Sequence, residues 1–221
     1  MALKVKMLTL GMISTNCFVM GDEETKDAIV IDPADDAPAI MKSVEEAGWT
    51  VRRILATHAH FDHVLAARDL KERTGAPFLL HRDDLPLLNN MQGRVKAFFG
   101  FDVPPPPKPD GFVKEGDVVE VGGIRLEVIF TPGHAPGHVT YVTEADLVFS
   151  GDCLFQGSIG RTDLPGGDYR TLMISITDKL MPLDDDVTVA PGHGPLTTIG
   201  AERAGNPFVL DWLSKQGEAG S

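Results

Sequence analysis

Cysteine is nearly missing from this chain of 221 residues: Cys17 and Cys153 are the two present, far apart and in unrelated contexts. Two such thiols build no disulfide framework, so both read as free, partly buried side chains. Basic residues never cluster either. Lys and Arg total 20 against 32 Asp and Glu, a formal charge of −12, which argues against a phosphate-binding surface and so against a nucleic-acid partner. No stretch approaches the roughly 20 apolar residues of a membrane-spanning helix, so no membrane partner is expected. No internal repeat or low-complexity block is visible. The opening "MALKVKMLTLGM" alternates polar and apolar residues, with Lys6 interrupting, and reads as a strand rather than a secretory signal. A cytoplasmic location is the resulting expectation.

What is present suits an ordinary globular protein, 43% hydrophobic and 24% charged. Strands are expected at residues 5–10, 17–20 and 28–32, and in "RRILAT", "PFLLH", "HVTYVT", "DLVFSGD" and "DVTVAP". A hairpin is expected around Gly122–Gly123. Helices are expected after Asp35–Asp36 up to Gly48, from Leu65 to about Gly75, after Asp168, and briefly after Ile199. Residues 85–112 lack clear periodicity, and "VPPPPKPDG" reads as an exposed connection or a lid. Strand pairs interrupted by single helices indicate an α/β or α+β sandwich, one domain over 1–210 with a polar tail at 211–221.

Histidine is used sparingly and unevenly. Of seven in the chain, three fall within "HAHFDH", as His58, His60 and His63, with Asp62 between them. At that frequency the pattern arises by chance in roughly one chain per thousand of this length. In an extended segment His58 and His60 point the same way, and Asp62 and His63 follow as the chain bends into a helix. Imidazole and carboxylate are ligands for Zn²⁺, Fe²⁺ or Mn²⁺, and coordination removes the repulsion that protonated rings would suffer. Three later segments each offer a further ligand on a strand-end loop: His134 in "TPGH", Asp152 in "SGD" and His193 in "PGHG". His81 stands alone and reads as an ordinary surface or core histidine.

In this order the motifs H-x-H-x-D-H, T-P-G-H, S-G-D and P-G-H-G resemble the metallo-β-lactamase fold superfamily, from about Val5 to Phe208. "GDCLFQGSIGRTDLPGGD" and "PGHGPLTTIGAERAGNPF" are similar to the short, single-domain bacterial members of its glyoxalase II (hydroxyacylglutathione hydrolase) branch. The resemblance implies a four-layer αβ/βα sandwich of two mixed β-sheets flanked by helices. It implies a first metal on His58, His60 and His134, a second on Asp62, His63 and His193, and Asp152 bridging the two. Two divalent cations, zinc foremost with iron or manganese as alternatives, would supply a bridging hydroxide. That hydroxide would attack the carbonyl of a small-molecule thioester, S-lactoylglutathione being the leading guess. Asp62 and Asp152 would be the catalytic carboxylates, Asp62 orienting the hydroxide or carrying a proton.

The family's glutathione-binding pattern is matched less well. Its Lys and Tyr after the bridging aspartate correspond here to Arg161 and Asp163, and Pro195 replaces a further Tyr. Arg161 would either grip a substrate carboxylate or pair with Asp163 or Asp168. His138 and Asp32 are expected to support the ligand loops rather than to ligate. Cys153, beside the bridging aspartate, is expected to be buried and not a ligand. The alternative within the fold is a persulfide dioxygenase, with one iron on the positions of His58, His134 and Asp152. A metal-stabilised protein without turnover is a third class, disfavoured by the complete ligand set.

Overall fold

The computed structural model describes residues 3–219. In chain order its elements begin with β1 (Leu3–Leu10), β2 (Thr15–Asp22), β3 (Asp27–Ile31), α1 (Ala37–Ala47) and β4 (Thr50–Leu55). Then come α2 (Phe61–Val64), α3 (Ala67–Thr74), β5 (Phe78–His81), α4 (Leu85–Asn89) and α5 (Met91–Phe99). A run of strands follows: β6 (Gly111–Val113), β7 (Val118–Val121), β8 (Ile124–Phe130), β9 (Val139–Thr143) and β10 (Leu147–Gly151). The chain closes with β11 (Leu154–Phe155), β12 (Ser158–Ile159), α6 (Tyr169–Ser175), β13 (Thr188–Pro191), β14 (Thr197–Thr198), α7 (Ile199–Gly205) and α8 (Pro207–Ala219).

Strands β1 to β6 form one six-stranded sheet in sequence order, and the second runs β14-β13-β10-β9-β8-β7. Both are mixed. In the first sheet β1, β2 and β3 are antiparallel and β3 to β6 parallel; in the second, β10 and β13 are the parallel pair. Strand alternation explains the four layers. Phe18 and Met20 of β2 and Ile29 and Ile31 of β3 enter the core between the sheets, where they meet Leu126, Val128, Tyr141 and Phe149. Their neighbours Cys17, Val19, Ala28 and Val30 point the other way, against Ile40 and Val44 of α1 and Leu70 of α3. Across the second sheet, Val148 and Val189 face Leu172, Met173 and Val209 on the outer helices. A strand buried on both faces reads as a continuous apolar run, as "CFVM" and "AIVI" do.

Several expectations hold at the level of single caps. Asp36 caps α1 by accepting from the Ala39 amide at 3.1 Å, and Gly48 ends it in the left-handed conformation at φ 69°. Asp168 caps α6 through the Thr171 amide at 2.7 Å.

Three readings are revised. Residues 85–112, whose weak periodicity led to no expected helix, contain α4 and α5; their pattern is broken because Phe98 and Phe99 lie exposed while only Met91 and Val95 of α5 are buried. The proline-rich connection is no lid over the cleft described below, whose lining it does not join. It is strapped to α3, with Lys71 Nζ donating to the Lys108 carbonyl at 2.8 Å, and to α5, with Gln92 Nε2 donating to the Val103 carbonyl at 2.8 Å. The segment read as a polar tail continues α8 through Ala219, because Trp212 packs against the outer core; residues 220–221 lie outside the described residues.

Candidate metal centre

Parallel pairing brings the ligand-bearing loops to one end of the sandwich. β3 beside β4 sets Asp32 against the segment leading to His58, with the Asp32 amide donating to the Leu55 carbonyl at 2.9 Å. β10 beside β13 does the same for Asp152 and His193, with the Gly192 amide donating to the Gly151 carbonyl at 2.8 Å. All seven side chains singled out as metal ligands converge there, and six of the seven are buried.

Hydrogen bonds behind the cluster fix which ring nitrogen faces inward. Thr57 Oγ1 donates to Asp32 Oδ2 at 2.8 Å and therefore accepts from His58 Nδ1 at 3.1 Å, which leaves the His58 Nε2 lone pair facing the site. His134 Nδ1 donates to the Arg161 carbonyl at 2.8 Å, with the same result for its Nε2. These two lone pairs lie 3.1 and 2.8 Å from His60 Nδ1. A single proton on His60 satisfies one of them; a cation satisfies all three.

Beside this trio, Asp62 Oδ2 lies 3.2 Å from His63 Nε2 and 3.3 Å from His193 Nε2. Asp152 stands between the sets, Oδ2 at 3.4 Å from His134 Nε2 and 3.6 Å from His193 Nε2, and Oδ1 at 3.4 Å from His63 Nε2. His63 Nε2 and Asp152 Oδ1 are buried without a hydrogen-bond partner. Orphaned polar atoms in a buried site are costly, and here they point at one another, as donors to a shared cation would. The residues fit divalent metal.

The electrostatics divide the cluster in two. Burial, reinforced by neighbouring rings, pushes the pKa of His58 far down and that of His60 to about 3; burial also lowers His134. Burial thus favours the neutral, ligating form of all three rings. For His63 burial pulls the same way, but Asp62, Asp152 and Asp32 outweigh it and raise the pKa well above its usual value. His193 is raised as well, burial being overcome by its hydrogen bond to Asp62 and by the Asp152 charge. Against the cost of burial, His63 in turn holds both carboxyls, Asp62 and Asp152, well below the usual carboxylate range.

Around the seven side chains lies a ring of hydrogen-bonding neighbours. Asp32, at a positive φ of 51°, accepts from the Thr57 amide at 2.6 Å and from His63 Nδ1 at 3.0 Å, so it aims the His63 ring. His138 accepts the Asp152 amide on Nε2 at 3.1 Å and donates from Nδ1 to Thr131 Oγ1 at 2.9 Å. Both of its nitrogens are engaged, so it positions Asp152 and has none left for a metal. Cys153 is fully buried, and burial drives its thiol pKa strongly upward. His81 sits apart, stacked on Phe130 with ring centroids 4.5 Å apart. The guanidinium of Arg161 is engaged by both oxygens of Asp163, at 2.8 and 2.7 Å; what the centre uses directly is its backbone carbonyl.

Three positioning residues were invisible in the sequence. Thr15 donates to Asp62 Oδ2 at 2.8 Å. Asn16 clamps the His193 loop, its Nδ2 donating to the carbonyls of Pro191 at 3.0 Å and Gly194 at 2.8 Å. Asp84, fully buried, accepts from the Ala59 amide at 2.8 Å and the Gly137 amide at 2.6 Å, tying the "HAH" loop to the loop carrying His134 and His138. Burial raises its pKa to about 6, the two amides opposing, so it is ionised at neutral pH. The acidic pair "DD" at 83–84 was the available signal, but it is a common surface pattern. Asp84→Ala orphans two buried amides and is expected to cost about 2–4 kcal/mol of stability. Metal affinity should fall about 10- to 100-fold with all seven ligands intact. Denaturant unfolding and metal titration measure the two effects, and unchanged affinity would refute the positioning role.

The geometry belongs to a recognised class. The sequence profile of the Metallo-beta-lactamase superfamily matches residues 10–193, and the chain belongs to that superfamily. Among its relatives, hydroxyacylglutathione hydrolase GloC of Haemophilus influenzae is 37% identical over 94% of this chain and 98% of its own. Among solved structures, BLEG-1 B3 metallo-beta-lactamase superposes with a TM-score of 0.87 at 38% identity, covering 93% of this chain and 99% of that one. TTHA1623 in a di-iron-bound form gives 0.83 at 40%, over 92% and 99%. ETHE1 from Myxococcus xanthus gives 0.80 at 30%, over 94% and 85%. Family, names and ligand cluster together support a metal-dependent hydrolase and a divalent-metal centre.

Proposed function

We propose that the chain is a binuclear metal-dependent thioester hydrolase, with S-lactoylglutathione as the first substrate to assay. The observation carrying this reading is the placement of Asp152 between two complete ligand sets, one oxygen toward His63 and the other toward His134 and His193. His58, His60 and His134 would hold one metal and Asp62, His63 and His193 the other, zinc being the leading candidate. When bound, the pair lowers the pKa of water toward neutrality and polarises the carbonyl.

In the reaction, water oxygen bonds to the carbonyl carbon, the C–S bond breaks, and the thiolate leaves with its electron pair to be protonated in solvent. The chain's own residues supply the rest. Asp62 is held ionised and lines the cleft, so its carboxylate can orient the attacking water by accepting a hydrogen bond from it, the water's proton passing to solvent. Thr15 fixes that carboxylate, and Asp32 fixes the neighbouring His63 ring. Thioester turnover, with two metals per chain after loading, is the test. A single iron per chain with oxygen uptake on glutathione persulfide would move the assignment to the ETHE1-like dioxygenase. Opening of a β-lactam in preference to any thioester would move it toward BLEG-1.

The pKa pattern orders metal loss. His63 and His193 take protons at higher pH than His58, His60 and His134 do. A protonated ring cannot ligate, so acidification is expected to empty the Asp62–His63–His193 set first. Dialysis at stepped pH should show metal content passing from two per chain through a plateau at one. Loss of both metals in one step would contradict this.

A further inference from the structure

The cleft over the metal centre has a volume of about 460 Å³, within the range for a small-molecule site. Its walls are mostly apolar, with Phe61, Phe98 and Phe99 forming one side and Phe155, Ile159 and Leu164 contributing elsewhere. Phe61 of α2 packs its ring against Phe99 at 5.6 Å and Phe98 at 6.2 Å, yet Phe98 stays 58% exposed. Exposed aromatic rings beside a reactive centre are area waiting to be covered by a ligand.

Two cations line the same cleft, Arg94 and Arg161. Arg161 is committed to Asp163 through two hydrogen bonds. The guanidinium of Arg94 has no hydrogen bond or ion pair among the described residues. Arg94 lies one helical turn before Phe98 on α5, so the two share a face. The carboxylates lining the cleft are Asp62 and Asp152, both turned to histidine rings, so a substrate ammonium would find no partner there.

We propose that the cleft selects thioesters combining an aromatic or branched aliphatic group with a single carboxylate, the first seated on Phe61, Phe98 and Phe99 and the second on Arg94. This rests on the thioester reading of the site. It ranks such compounds above S-lactoylglutathione, whose carrier is a polar peptide with an ammonium group and two carboxylates. A planar guanidinium beside an apolar wall gives a carboxylate two parallel hydrogen bonds in a partly desolvated setting, where the pairing is strong and geometrically selective.

The experiment uses the metal-loaded full chain and four thioesters: acetyl and phenylacetyl groups, each on 3-mercaptopropionate and on N-acetylcysteamine. The phenylacetyl ester of mercaptopropionate should have the highest kcat/KM and exceed S-lactoylglutathione. Arg94→Gln should raise KM for the mercaptopropionate pair about tenfold more than for the neutral pair, with Arg94→Lys recovering part of the loss. Phe98→Ala should lower kcat/KM for phenylacetyl relative to acetyl. Equal effects of Arg94→Gln on all four, or S-lactoylglutathione as the best substrate, would overturn the proposal while leaving thioester hydrolysis standing. Calorimetric binding of the matching thioether, S-phenethyl-3-mercaptopropionate, separates the two readings. Binding that weakens in Arg94→Gln, with no thioester turned over, would keep the cleft's preference and remove the thioester chemistry. Absence of any difference between wild type and Arg94→Gln would remove the preference.

Discussion

Asp152→Ala is expected to abolish turnover while leaving a folded chain. The substitution removes the one carboxylate that faces both ligand sets, leaving His58, His60 and His134 in one and Asp62, His63 and His193 in the other. The backbone amide of residue 152 keeps its bond to His138, so the loop itself has no reason to move. Losing roughly 4 kcal/mol of transition-state stabilisation corresponds to a thousandfold in rate, and the two-metal reading demands at least about that. Metal content should fall from two per chain to one or fewer. Thioester hydrolysis within about tenfold of wild type would show that Asp152 does not hold the pair and that a single metal suffices.

Metal removal is expected to lower thermal stability by an amount comparable with the truncation of one large core side chain. Without a cation, the fold must keep neutral rings with facing lone pairs at 2.8–3.1 Å and must bury the unpartnered His63 Nε2 and Asp152 Oδ1. Binding to the folded chain alone stabilises it by about 4 kcal/mol when free metal is a thousandfold above its Kd. For a chain of this length each kcal/mol shifts the midpoint by about 2–4 °C, so a chelator should lower Tm by roughly 8–16 °C. The shift should reverse on adding back metal. Its absence would mean that the cluster tolerates being empty, and the orphaned atoms would then need another partner, such as water.

Little of the second ligand set would survive a change at Gly192. A side chain added there would meet Asp152 Oδ1 and His63 Cε1, the latter at 2.6 Å, so the glycine is required by close packing between two ligands. The sequence shows only "PGHG", in which turn formation and close approach look alike.

The contrast between Asp62 and Asp84 explains how far the sequence could be read. Asp62 announces itself because it sits among histidines within six positions, a local arrangement that has chemical meaning by itself. Asp84 reaches the same centre only because β5 is carried alongside β4 and the chain then turns back under the "HAH" loop. Nothing within a few residues of it records that. Thr15 and Asn16 are the same case, since their partners lie 47 to 178 residues away. Arg161 shows the reverse: its side chain drew attention, while its backbone carbonyl, which every residue has, is what holds His134.

Residue types and their spacing were enough to indicate a sandwich and to single out seven candidate metal donors. Period-two alternation places each strand residue on one face or the other, and ligand chemistry restricts the metal donors to a few residue types. The folded arrangement was needed to show which ring nitrogen faces inward, what occupies both nitrogens of His138, and that Arg94 rather than Arg161 keeps a free guanidinium above the cleft. These are matters of hydrogen-bond partnership between segments distant in the chain. A pattern of residue types does not encode such partnerships; the folded backbone that brings the segments together does.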